Sequence, residues 1–364
     1  MNTHSRTVSH SHPRKQITVL FVSSGNRLGD ASPIIKNQGE SLTKAGVVVE
    51  YFTIQGKGLT GYFKNIFRLR KFLKMNKFDV VHAHYSLSGY VAALAGAKPL
   101  IVSLMGSDVK AKSSYKKIIN YFIDHVWGKT IVKSEDMKDS LGNDKVIVIP
   151  NGVDLSRFSC FDDVKERQGE QVNLECKIEN ETSHRRTVAP SHSQNYSLLT
   201  THYSREVVGF KKAKYYLIWV SNPDRPEKNF KLAEDAVNML DRDDIELVVV
   251  YNKPNELLPY YYNAADALLL TSLWEGSPNV IKEAMACNCP IVSTDVGDVK
   301  FVTSGINGCY LAGNDVLDFR DMILLALKFG KRTEGRNRII SLQLDSDSVT
   351  IKLKENYIQL FRNK

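Results

Sequence analysis

Two series of short β-branched apolar runs alternate with helical patterns along this chain, and a long polar stretch separates them. The first series predicts strands at Ile17–Ser24, Val47–Ile54, Asp79–His84, Pro99–Gly106, Lys129–Ser134 and Lys145–Pro150. Helical spacing fills the gaps near Pro33–Ala45, Gly61–Met75, Ser86–Ala95 and Tyr115–Trp127. The second series predicts strands at Tyr215–Ser221, Ile245–Tyr251, Ala267–Ser272, Pro290–Asp295 and Gly308–Leu311, with helices near Asn229–Leu240, Glu256–Ala264, Asn279–Ala286 and Val316–Phe329. Continuous apolar strands separated by helices belong in parallel sheets covered on both faces. Two such series imply an α/β chain of two Rossmann-like domains whose sheets face each other across a cleft.

The limits follow from that reading. Residues 1–16 are polar, rich in Ser and His, and read as a disordered tail; residues 17–155 form the N-terminal domain. From 159 to 210 the chain shows no sustained periodicity, and a structureless loop of that length inside a domain is rare, so it reads as a polar insertion or linker. Residues 211–345 make the second domain, and 346–364 a terminal amphipathic helix expected to pack back on the first. At 364 residues the chain can bury two cores. No apolar run approaches the roughly 20 residues of a spanning helix, nor is there a signal-peptide core. The five cysteines form no C-x-x-C pair, which fits a reducing cytoplasm better than a disulfide framework or a zinc site.

The formal charge of +9 is concentrated in Tyr62–Lys77, where Lys64, Arg68, Arg70, Lys71, Lys74 and Lys77 interleave with apolar residues at helical spacing. This amphipathic basic helix has two readings: a surface helix on its sheet, or a face resting on an anionic membrane surface. Nucleic acid is not indicated, because the charge follows one helix and lacks exposed aromatic platforms.

Ligands of open α/β sheets bind beyond the carboxyl ends of the strands. After Ala267–Ser272 come two carboxylates, Glu275 and Glu283, flanking a Gly-Ser-Pro turn that opens a helix. Free N–H groups at such a helix start suit a phosphate, and flanking carboxylates suit sugar hydroxyls. The helix dipole alone would account for Glu275 but poorly for Glu283. After Tyr215–Ser221, Arg225 and Lys228 sit in a turn where they can neutralise a diphosphate, or equally be solvated loop charges. Gly25–Asp30 is a Gly-containing turn that lacks a full G-x-G-x-x-G. Asp241-Arg-Asp243-Asp244 has D-x-D spacing but reads as a solvated turn, so no metal is invoked.

Together these residues resemble retaining glycosyltransferases of the GT-B fold, in glycosyltransferase family 4 (group 1). The most specific segment is Ala265-Asp-Ala-Leu-Leu-Leu-Thr-Ser-Leu-Trp-Glu275-Gly, followed by Glu283-Ala-Met-Ala-Cys and Pro290-Ile-Val-Ser-Thr-Asp-Val-Gly297. Pro150-Asn-Gly-Val-Asp154 and Asp79-Val-Val-His-Ala-His84 support it, and Ser221-Asn-Pro-Asp-Arg-Pro-Glu-Lys-Asn resembles a subset active on bacterial surface polysaccharides such as capsule. The resemblance implies a UDP- or GDP-sugar as substrate, no cofactor, and a lipid-linked oligosaccharide or polysaccharide acceptor at the inner membrane face. It places Glu275 on the donor sugar and Glu283 on the ribose. Ser277, Pro278, Asn279 and Val280 fall on sugar or phosphate oxygens, and Arg225 and Lys228 on the diphosphate. Gly29 belongs to a loop over the donor, while His84 and Asp108 lie on the acceptor side. This chain carries Met105 where many members have His, and Pro223 where the usual phosphate-loop arginine falls. A nucleotide-sugar epimerase or hydrolase of the same architecture, or a donor-binding pseudo-enzyme, stay open as alternatives.

Overall fold

The computed structural model describes residues 16–25, 30–56, 58–109, 113–160 and 201–362. Residues 1–15 of the expected tail, Gly29 and residues 161–200 of the expected insertion lie outside the described residues. The chain divides into two compact units, residues 1–152 with 346–364 and residues 153–345.

In the first unit six strands run β1 (Thr18–Ser24), β2 (Val48–Ile54), β3 (Val80–His84), β4 (Leu100–Ser103), β5 (Lys129–Val132) and β6 (Val146–Val148). They form one sheet in the order β2-β1-β3-β4-β5-β6, every pairing parallel. The helices are α1 (Pro33–Lys44), α2 (Gly58–Met75), α3 (Ser86–Leu94), α4 (Gly106–Val109), α5 (Ser113–His125) and α6 (Glu135–Leu141). Strand side chains alternate between two cores. Leu20, Val22, Val81, Ala83 and Val102 pack with Leu69 of α2, Val91 of α3 and Ile119 of α5. Val19, Phe21, Val80, Ile101 and Ile131 pack on the other face with Leu42 of α1 and with Val349, Leu353 and Tyr357. Burial on both faces explains the unbroken apolar runs, and each fully buried Val, Leu or Ile contributes about 1.5–3 kcal/mol.

Tyr357 belongs to the terminal helix Ser346–Arg362. Its hydroxyl meets His82 Nδ1 at 2.7 Å, Lys129 Nζ donates to Asn356 Oδ1 at 2.7 Å, and Lys354 Nζ donates to the Ala45 carbonyl at 2.6 Å.

The second unit holds α7 (Thr201–Val208), β7 (Tyr215–Trp219), α8 (Phe230–Asn238), β8 (Ile245–Val249), α9 (Leu258–Ala264), β9 (Ala267–Leu270), α10 (Asn279–Ala286) and β10 (Ile291–Thr294). It continues through α11 (Val299–Thr303), β11 (Cys309–Ala312), α12 (Val316–Phe329) and α13 (Gly335–Ser341), which makes the terminal helix α14. The sheet order is β11-β10-β9-β7-β8, again parallel throughout. Local signals match where they are strong: Asp315 caps α12 through Leu317 N (2.9 Å) and Asp318 N (3.1 Å), and Gly330 ends it at φ 59°.

The structure differs from expectation at two places. Helix α7 occupies the end of the stretch read as structureless. Its Arg205 forms a bidentate pair with Asp266 (2.9 and 2.8 Å) and donates to the Ala264 carbonyl, so a distant partner fixes it. Residues 153–155, expected in the first domain, belong to the second unit. Val153 N donates to the Leu344 carbonyl at 3.0 Å, and Arg336 holds the carbonyls of Leu155 and Phe158.

Both sheets are doubly wound and share a feature that positions ligands. The strand order reverses between β1 and β3 in one unit and between β7 and β9 in the other. The crevice beyond such a reversal is where open α/β sheets bind ligands.

Candidate functional site

In the second unit the turns that follow β7 and β9 are adjacent and tied together. Leu273 N donates to the Glu227 carbonyl at 2.9 Å, and Thr271 Oγ1 donates to the Lys228 carbonyl at 2.9 Å. Buried Trp219 on β7 donates to Thr271 Oγ1 at 2.9 Å. Pro226–Lys228 makes a single 3-10 turn, and Asn229 adopts the left-handed conformation at φ 50° before α8 begins. This brings Lys228 Nζ onto Glu275 Oε1, both side chains mostly buried. Ser272 Oγ donates to the same carboxylate oxygen at 2.9 Å. Arg225 turns the other way, pairing with Glu227, and its side chain is 54% exposed. The two expected cations therefore separate: Lys228 stands in the site and Arg225 at its solvent edge.

The turn from Glu275 runs into α10 through Pro278, with no side-chain cap on the helix start. Its first amides are therefore available to a ligand. Asn279 Oδ1 is buried and without a hydrogen-bond partner. Glu283, one turn inside the helix, accepts from the Tyr262 hydroxyl at 2.8 Å. Burial pushes the Glu283 carboxyl up; the Tyr262 bond and nearby Lys282 and Arg157 oppose that shift. Beneath the turn, Ser277 Oγ donates to Asp298 Oδ2 at 2.6 Å and accepts from Lys282 Nζ at 3.0 Å. Gly297, at φ 59°, lies against the Gly276 carbonyl, where any Cβ would collide with it.

In the first unit the expected acceptor-side residues are deeply buried and are held separately. His84 ends β3 and stacks on His82, ring centroids 4.3 Å apart at 25°. His84 Nε2 has no partner, and burial, helped by Lys133, pushes its pKa down to about 3. His82 is satisfied on both nitrogens, by Tyr357 and by Ser103 Oγ at 2.8 Å. Asp108, in α4, accepts from Met105 N at 2.7 Å and from Ser86 N at 3.2 Å, binding the turn after β4 to the start of α3. Burial raises its carboxyl to about 6, against those hydrogen bonds. The preceding Tyr85 is held at φ 81°, a strained position for a residue with a side chain.

Tyr262, Lys282, Asp298 and Ser272 carry no motif of their own and were not singled out from the sequence. One signal points to Lys282: it sits in a helix of Ile281, Ala284, Met285 and Ala286 that is buried nearly all round, where a charge demands a partner. The Asp241–Asp244 turn is solvent-facing, with Arg242 on Asp244 at 2.9 and 2.6 Å. Among the described residues no group of three or more His, Cys, Asp or Glu could hold a metal ion, and no helix is long and apolar enough to cross a membrane.

Comparison with known proteins decides what this geometry belongs to. The family model Glycosyltransferase Family 4 matches residues 1–157, and that of Glycosyl transferases group 1 matches residues 205–328. The chain belongs to this glycosyltransferase family. Among curated relatives, a putative teichuronic acid biosynthesis glycosyltransferase, TuaC, of Bacillus subtilis (strain 168) is 28% identical over 233 residues, 61% of this chain and 54% of that one. A UDP-Gal:alpha-D-GlcNAc-diphosphoundecaprenol alpha-1,3-galactosyltransferase of Escherichia coli is 26% identical over 284 residues, 70% of this chain and 68% of that one. The chain thus spans about half the length of the first relative and two thirds of the second. Among solved structures, sucrose-phosphate synthase from Thermosynechococcus elongatus superposes with a TM-score of 0.69 at 16% identity, over 96% of this chain and 100% of that one. HepE of Anabaena, in complex with UDP-glucose, gives 0.63 at 14% identity over 94% and 100%. At such identities the likeness establishes the fold, which is GT-B.

Proposed function

We propose that this glycosyltransferase moves a hexose-type sugar, with retention, from a nucleoside-diphosphate donor to a lipid-linked or polysaccharide acceptor in surface polysaccharide or capsule assembly. The observation that carries the reading is the Lys228–Glu275 pair, joined where the strand order of the second sheet reverses. A lysine against a carboxylate is one cation ready to be shared with a diphosphate and one acceptor ready for a sugar hydroxyl. Glu275 takes the donor sugar and Glu283 the ribose, while the backbone N–H groups of Ser277, Asn279 and Val280, on either side of Pro278, take phosphate or sugar oxygens. The unpartnered Asn279 Oδ1 is a further acceptor for a ligand hydroxyl. HepE, of the same fold, is described with UDP-glucose, and the Escherichia coli relative is named for a diphosphoundecaprenol acceptor; both support the substrate classes.

As the glycosidic bond breaks, negative charge gathers on the leaving diphosphate. Lys228, the start of α10 and Arg225, swung from Glu227, stabilise that charge in place of a metal. The acceptor hydroxyl attacks from the face the diphosphate leaves, and its proton passes to the departing phosphate, so no protein nucleophile is required. His84 and Asp108 are assigned to the acceptor and Gly29 to the donor.

Helix α2 supports work at the inner face of the cytoplasmic membrane. Phe63 and Phe67 are 63% and 57% exposed and pair edge-to-face at 5.4 Å. They share an exposed stripe with Lys64, Arg70, Lys71 and Lys74, and the helix has no acidic residue. Binding to vesicles containing anionic phospholipid should fall steeply with salt and vanish when those four cations are reversed to Glu; unchanged binding would overturn the membrane reading.

Release of nucleotide, measured across UDP-, GDP- and ADP-hexoses with lipid-linked acceptors, tests the transferase itself. Acceptor-dependent release from one donor class is expected. Conversion of donor without acceptor would favour an epimerase or hydrolase, and tight binding without release a pseudo-enzyme.

A further inference from the structure

Lys282 is 1% exposed and sits in the first turns of α10, beside the positive end of the helix dipole. Burial and the dipole both disfavour a cation there, and an apolar residue of similar volume would suit the surrounding Ile281, Ala284 and Met285 better. Its ammonium reaches back five residues to donate to Ser277 Oγ at 3.0 Å. Ser277 Oγ in turn donates to Asp298 Oδ2 at 2.6 Å, on the loop after β10. The same loop brings Gly297 against the Gly276 carbonyl, so the turn is gripped at one residue through backbone and at the next through side chains.

We propose that Lys282 and Asp298 are positioning residues that clamp the Glu275–Asn279 turn through the Ser277 hydroxyl, setting the affinity of the site for the sugar of a nucleotide-sugar. The proposal rests on the donor-site reading above. Ser277 Oγ both donates and accepts within the protein, so what Ser277 offers a ligand is its backbone N–H, whose direction the clamp fixes. The charges balance in the same sense. Glu275 lies close enough to disfavour a charge on Asp298, while Lys282 favours it; Lys228 meanwhile holds Glu275. Two carboxylates thereby stand at one turn, each with its own lysine. Removing either clamp partner frees Ser277 to rotate and lets the turn relax from the geometry that fits the sugar.

The test is titration of the full-length protein and its Lys282→Met, Asp298→Asn and Ser277→Ala variants with UDP-, GDP- and ADP-hexoses, and with the matching nucleoside monophosphates. Asp298→Asn is expected to weaken nucleotide-sugar binding about tenfold and leave monophosphate binding within twofold, whereas Lys282→Met, which also removes a cation beside Glu283, is expected to weaken nucleotide-sugar binding at least as much. Asp298→Asn added to Ser277→Ala is expected to cost nothing more than Ser277→Ala alone, because both act through one hydroxyl. Unchanged nucleotide-sugar affinity in Asp298→Asn, equal loss of monophosphate binding, or additive effects with Ser277→Ala would overturn the clamp. Asp298→Asn is isosteric and carries the test alone if Lys282→Met does not fold. A wild-type protein that binds no nucleotide-sugar at all would instead overturn the donor-site reading, and the clamp with it.

Discussion

The two sheets reverse strand order in the same way, yet their carboxyl edges are built on opposite electrostatic plans. Beyond β7 and β9 the charged groups are paired, Lys228 with Glu275 and Arg225 with Glu227 at reachable positions, and Asp298 with Ser277 over the buried Lys282. Along β3 and just beyond β4 they are sealed: His82, His84 and Asp108 are buried, the histidines held neutral and Asp108 fixed by backbone amides. The diphosphate site proposed there calls for fixed charge that a ligand can meet. A neutral, buried edge instead makes a rigid wall. The contrast predicts that substitutions in the second unit cost function first, whereas those in the first unit cost stability first.

The sharpest way to break this contrast is at the ion pair. Glu275→Gln should lower the transfer rate by about 10²-fold or more with the melting temperature nearly unchanged, and Lys228→Ala should lower the rate as much while also costing some stability, because it leaves the mostly buried Glu275 without its cation. Initial-rate assays beside thermal unfolding check this; a fully active Glu275→Gln would remove Glu275 from the site. Asp108→Ala is the counterpart. It strands the amides of Met105 and Ser86 in the core and should destabilise the protein by about 2–3 kcal/mol, read as a lowered denaturant midpoint. Stability equal to wild type would mean that Asp108 does not organise that edge.

Acidification separates the two edges further. The pKa of buried His84 is near 3 against an ordinary 6.5, and that of His82 is also well below the ordinary value. Above pH 6.5 both states leave these rings neutral. Below it the unfolded chain takes up the protons that the folded one refuses, so stability falls by about 1.4 kcal/mol per pH unit for His84 alone. Asp108 acts in the opposite direction: raised to about 6, it binds a proton in the folded state first and regains stability between pH 6 and 3.8. Within the first unit two histidines against one raised carboxyl leave a net loss. Unfolding followed from pH 7 to 5 should lose less stability in His84→Asn than in wild type, because the share of that ring is removed.

How much of this was legible beforehand follows the range of the forces involved. The strands and the long helices α1, α2, α5 and α12 were readable because burial on a sheet writes itself into local apolar spacing. The short helices α7 and α13 were not, since partners far along the chain hold them, as Asp266 holds Arg205 and the carbonyls of Leu155 and Phe158 hold Arg336. Among the candidate residues, Glu275, Lys228 and Glu283 stood out because their positions after strands carry meaning. Lys282 and Asp298 did not, because a lysine in a helix and an aspartate in a loop ordinarily face water, and only the fold brings both to Ser277.

Tyr262 offers the finest test of the contrast, because it is a fully buried group inside the paired edge. Its hydroxyl ends on Glu283 Oε2 at 2.8 Å, and burial together with that carboxylate pushes its pKa well above the ordinary range. It therefore remains a donor at any working pH and fixes the Glu283 carboxylate proposed to accept from a ribose diol. Tyr262→Phe keeps the ring, the packing against Phe158 and the volume, and deletes one hydrogen bond. The expected cost is about 1 kcal/mol, a roughly fivefold rise in the donor's KM with kcat little changed, since the ribose is bound equally in ground and transition states. A fall in kcat at constant KM would put Glu283 in the chemistry instead. An equal loss of stability and no change in KM would make Tyr262 a member of the sealed kind, and the division between the two edges would then run through the second unit rather than between the units.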